Sequence, residues 1–116
     1  MTTRETIERY FDKLAAKGAW QDSFADDVVF TSHTSPTKEV KGKHAYLEAT
    51  KRFYSTIQSV ELRQLLVDGS RAVALSRYEI LQPGKSAFMS DVAEVFSVKG
   101  EKIDPLGIYF DTAPYR

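Results

Sequence analysis

Three side chains in this sequence could move protons from an apolar setting: Glu94, Tyr10 and His33. Glu94 lies between Val92 and Phe96 in a run of period two, so its carboxyl points where those apolar side chains point. Ionising a carboxyl among apolar neighbours is costly, and its pKa is expected to rise. In that state it can serve as general acid, general base or hydrogen-bond donor. Tyr10 falls on the apolar stripe of the first helix, where a phenol can donate to a developing oxyanion or simply pack. His33 follows the first strand and offers a base that titrates near neutral pH. Strict alternation puts Phe30 and Ser32 on one face and Thr31 and His33 on the other. Which of Ser32 and His33 looks inward stays open at this point, and a histidine in a solvent-facing loop is the commoner outcome.

Other chemistries find no footing. The chain has no cysteine, which excludes disulfides, thiolate catalysis and cysteine-based zinc sites and fits a reducing cytoplasm. His33 and His44 are too far apart for a close-spaced metal motif, and no phosphate loop or dinucleotide fingerprint occurs, so no cofactor is expected. Sixteen basic residues balance sixteen acidic ones, giving no electrostatic reason to expect nucleic acid or an anionic membrane as partner. The opening residues lack an apolar signal core, and no apolar run approaches the ~20 residues of a spanning helix. The 116 residues are read as one domain, 1–116, large enough for a core without staples.

The elements that must position these side chains are legible in outline. Thr2 and Glu5 have capping-box spacing, Ile7, Tyr10, Phe11 and Leu14 form a helical stripe, and Gly18 is a natural stop. Ala19–Ala25 has room for one or two helical turns, and Val28–Thr31 reads as a first strand. The polar stretch 32–42, with Pro36, is expected to be a loop. A second helix is expected over His44–Ile57, with Tyr46, Leu47, Thr50, Phe53, Tyr54 and Ile57 on one face. The period then changes to two. Strands are expected at Val60–Val67, Ala72–Leu81, Phe88–Val98 and Ile103–Asp111, separated by three turn sequences, with Pro105 tolerable only near an edge or bulge.

Helices followed by hairpins in series argue an α+β fold. Along Phe88–Val98 neither face is cleanly polar, so both are expected to be at least partly covered. Helices can cover only the concave face; a second copy is the economical cover for the convex one, which predicts a homodimer.

The order of elements, with Phe24–Phe30 leading into the first strand, Gly42-Lys43 opening the second helix, Asp91–Phe96 followed by Gly100-Glu101-Lys102-Ile103, and a terminal Tyr109-Phe110-Asp111, resembles the nuclear transport factor 2-like superfamily. The likeness is to its SnoaL-like and ketosteroid isomerase-like branches and spans nearly the whole chain. It implies a cone: a curved, mostly antiparallel sheet wrapped around N-terminal helices, with a pocket at the open end. It also implies a pocket tyrosine at Tyr10, an acidic oxyanion-hole residue at Glu94 and a general base near 32–33. The isomerases' base aspartate has no counterpart here. Epoxide hydrolase and cyclase relatives often carry an aspartate where this chain has Ile108, which cannot move protons.

Fold alone does not deliver function in this superfamily. The sequence reading is a pocket protein that binds a small apolar or aromatic metabolite, with Trp20, Phe30, Phe53, Tyr54, Phe96 and Phe110 as ligand-binding candidates. The alternative is a proton-transfer enzyme, isomerase- or cyclase-like, using Glu94 with Tyr10 and His33.

Overall fold

The first helix, α1 (Thr3–Ala15), begins where its cap dictates: the Thr2 hydroxyl accepts from the Glu5 amide at 3.1 Å, and the Glu5 carboxylate accepts from the Thr2 amide at 2.9 Å. Ile7, Tyr10, Phe11 and Leu14 are all buried on one face. The helix stops before Gly18. Lys17 takes the left-handed conformation (φ 57°), and the Gly18 amide reaches back to the Lys13 carbonyl at 2.8 Å. In this computed structural model, residues 1–115 are described.

A short 3-10 turn, Trp20–Ser23, leads to β1 (Val29–Ser32). The expected loop over 32–42 contains a strand, β2 (Lys38–Lys41), paired antiparallel to β1 with Phe30 opposite Val40. Its polarity hid it: β2 is an edge strand of charged residues around one half-buried valine, so alternation carries no signal. Helix α2 (Lys43–Ser55) ends two residues short of Ile57. The Thr56 hydroxyl caps the Phe53 carbonyl at 2.6 Å, and Ile57 instead opens β3 (Ile57–Asp68) opposite Ile80. Then come β4 (Arg71–Ile80), β5 (Phe88–Lys99) and β6 (Lys102–Phe110).

The six strands form one sheet in the order β2-β1-β6-β5-β4-β3, antiparallel throughout except for the parallel pair β1–β6. The fold is therefore α+β, with a curved, unclosed sheet. Pro105 lies in an interior strand, beside the register irregularity between Phe96 and Val98 and just before the pairing of β1 begins at Leu106. There it interrupts no ladder. Asp104 next to it accepts from the Val29 amide at 3.1 Å and so anchors the start of β1.

The core fills the concave side. Alternation places Ala72, Ala74, Tyr78 and Ile80 of β4 and Val92, Glu94 and Phe96 of β5 on that face, under the helices. The convex side carries exposed apolar groups, among them Leu66, Leu75, Met89 and Tyr109, and a cross-strand ion pair in which Arg77 holds Asp91 at 2.8 Å. No helix among the described residues is long and apolar enough to cross a membrane.

Candidate ligand cavity

Strand register builds the floor of the site. Ser32 of β1 lies opposite Ile108 of β6, Ile108 opposite Glu94 of β5, and Glu94 opposite Ala74 of β4. One row therefore presents a hydroxyl, a sec-butyl group, a carboxyl and a methyl to the same face. Helix α2 roofs this row with Tyr46, Ala49, Phe53 and Tyr54, and a cavity of about 340 Å³ remains between roof and floor. Its walls are almost wholly apolar or aromatic.

Glu94 is 5 % exposed. Its Oε1 accepts a hydrogen bond from the Tyr78 hydroxyl, while Oε2 is buried and has no hydrogen-bond partner among the described residues. Loss of water raises its pKa from the ordinary value to about 7, and the Tyr78 hydroxyl, by stabilising the charged form, holds it back from rising further. A carboxyl poised there can hold or release a proton at neutral pH.

Tyr10 is fully buried behind the cavity wall rather than in it. Its hydroxyl meets that of Tyr54 at 3.2 Å, and Tyr54 is in turn hydrogen-bonded to the hydroxyl of Tyr46. Burial pushes the pKa of all three phenols up, as it does for Tyr78, so each stays protonated through the neutral range. The tyrosine named from the sequence thus reaches the cavity only through Tyr54.

His33 does not join this group. It is exposed, one residue past the end of β1, with its ring stacked on Tyr109 at 4.6 Å and its edge against Gly107. It lies on the convex side; Ser32 is the residue that faces the cavity. Pairing with β6 settles the register, because the His33 amide bonds the Ile108 carbonyl and continues the strand's alternation.

Of the aromatic candidates, Phe30, Phe53, Tyr54 and Phe110 line the cavity. Trp20 does not: it stacks on the outer face of Tyr54 at 4.0 Å and borders a separate cavity of about 240 Å³ near the end of α1. Phe96 is packed against Tyr10 and Phe11, closed off in the core. Sequence reasoning passed over Tyr78 and Tyr115. Alternation along β4 could have flagged Tyr78 as inward, but its reach to Glu94 is diagonal across two strands and needs the register. Tyr115 folds back onto Phe53, Phe88 and Phe110 after the last strand, which no periodicity announces. Among the described residues no cluster of histidine and carboxylate side chains could hold a metal ion.

Several solved structures share this architecture. A SnoaL-like polyketide cyclase (so described as a candidate) from Jannaschia sp. CCS1 matches with TM-score 0.83 at 15% identity, over 97% of this chain and 88% of that one. An LEH-like epoxide hydrolase of M. tuberculosis matches with TM-score 0.77 at 17% identity, over 95% and 83%. A protein of ketosteroid isomerase-like fold from Catenulispora acidiphila DSM 44928, in complex with trimethylamine, matches with TM-score 0.75 at 17% identity, over 92% and 85%. These likenesses establish the fold. No curated protein matches the chain. The family model of the SnoaL-like domain matches residues 7–104, most of the chain and nearly all of the framework described above. The chain belongs to the SnoaL-like domain family.

Proposed function

We propose that this protein binds a small, mostly apolar molecule in the cavity over β1, β6, β5 and β4, with Glu94 as the polar handle. One observation carries the reading: an open space of about 340 Å³ whose apolar walls enclose a single carboxyl with an unsatisfied oxygen. A well-packed core does not leave such a group without a partner. At ~30 Å³ per water-sized group, the space takes a ligand of roughly ten heavy atoms. The ligand's polar group is either a hydrogen-bond acceptor for the protonated acid or a donor or cation for the carboxylate.

A second reading, proton transfer on a bound substrate, is favoured by the position of Glu94's pKa at about 7, where one group can serve as acid and base. Tyr78 would then tune the carboxyl, and Tyr46 and Tyr54, backed by Tyr10, would face the substrate. Glu94→Gln separates the two. A binder keeps or shifts its affinity with no turnover to lose; an enzyme loses turnover by orders of magnitude while still binding.

The exposed apolar groups of the convex face support self-association there, with a second copy covering Leu75, Met89 and Tyr109. The absence of cysteine fits a cytoplasmic setting.

A further inference from the structure

Phe30, Tyr46, Phe53, Tyr54, Tyr78 and Phe110 line the cavity, and no lysine, arginine or histidine stands among its described lining residues. Aromatic faces carry negative potential, and the only carboxyl in the wall adds to it. Such a space repels carboxylates and phosphates. It also serves neutral polar ligands poorly. The hydroxyls of Tyr46 and Tyr54 are engaged with each other and with Tyr10, and that of Tyr78 is given to Glu94. What remains is the Ser32 hydroxyl and the Glu94 carboxyl, whose Oε2 has no hydrogen-bond partner among the described residues.

We infer that the cavity selects a small alkylated amine in its cationic form, the positive nitrogen set beside the Glu94 carboxyl and its alkyl groups against the surrounding rings. The inference rests on the reading of the cavity as a ligand site and names its substrate class. A tertiary or quaternary ammonium meets each condition. Its charge offsets a carboxylate removed from water, where the attraction is least screened. Its methyl groups fill apolar space, and it brings few or no N–H groups that would need acceptors the walls do not offer.

The pH dependence follows from the groups facing Glu94. These are Tyr78 on β4, Tyr46 and Tyr54 on α2, and Tyr10 on α1, all kept protonated by burial; β6 and β1 present Ile108 and Ser32, which do not titrate. Only Glu94 changes charge near neutrality. A quaternary ammonium, which has no proton to lose, therefore binds best above pH 7 and loses roughly tenfold in affinity per pH unit below it.

The test compares phenyltrimethylammonium with tert-butylbenzene, its uncharged isostere, by calorimetric titration at pH 8 and pH 6. The account expects the cation to bind about tenfold or more tighter than the hydrocarbon at pH 8. It expects that preference to shrink at pH 6 and to vanish in Glu94→Gln. Equal or tighter binding of tert-butylbenzene overturns the amine assignment while leaving the apolar cavity as a ligand site. Failure of both probes to bind overturns the ligand site together with the amine.

Discussion

The Tyr78 hydroxyl donates to one oxygen of Glu94, and the other oxygen is buried beside an apolar cavity with no partner among the described residues. This asymmetry sets the carboxyl's behaviour. Burial alone drives it toward the neutral acid, and one hydrogen bond restrains that drive. The folded state holds Glu94's proton more tightly than the unfolded chain does. Stability should therefore fall as pH rises from the ordinary carboxyl value of 4.5 to about 7, and level off above, by about 3 kcal/mol. Glu94→Gln removes the titration. Denaturant unfolding should find the variant more stable than the parent at pH 8.5 and close to it at pH 5; parallel profiles for the two proteins would contradict the burial of an ionisable group.

Tyr78→Phe deletes the donor and leaves the ring. The Glu94 pKa should then climb above its present value of about 7, because the hydrogen bond that stabilises the charged form is gone. A carbon-13 titration of the Glu94 carboxyl measures this directly. The variant should also lose about 1–2 kcal/mol of stability at pH 8.

Tyr54 joins Tyr10 to Tyr46 through its hydroxyl and supports Trp20 on its outer face. Tyr54→Phe keeps the stack and strands two buried phenols. A loss of about 1–3 kcal/mol is expected in equilibrium unfolding. A ligand probe that binds the parent should bind this variant with changed affinity, since the wall loses its hydroxyl.

His33 stacks on Tyr109 across the sheet from the cavity. His33→Ala should leave ligand affinity and any turnover within twofold of the parent. A large loss in either would place the histidine in the chemistry, against its exposed position.

Leu75, Met89 and Tyr109 lie exposed on the convex face. Sedimentation equilibrium should give a particle of twice the 13.1 kDa chain mass, and Leu75→Arg should return it to one. A monomer at every concentration would remove the second copy from the account.

How far the sequence speaks can be judged residue by residue. The first helix was readable because its cap, stripe and stop agree with one another. The hairpin strands β4 and β5 were readable because turn sequences bracket runs rich in β-branched and aromatic residues. Strand β2 was not, since edge residues such as Lys38 and Glu39 obey solvent rather than a period. The site was half legible. Glu94 stood out because a carboxyl between Val92 and Phe96 is chemically out of place, and that anomaly needs only local sequence. His33 misled because its facing depends on β6, some seventy residues away, and Trp20 and Phe96 because aromatic composition cannot say which rings line a void and which fill the core.

The measurement closest to the central claim is a fragment titration followed by amide chemical shifts. With small apolar and aromatic amines, the account predicts that shifts concentrate at Phe30, Phe53, Glu94 and Ile108, the residues that share the cavity. Shifts confined to Trp20 and Gln58 at the other cavity, or none with any fragment, would contradict a ligand site at Glu94.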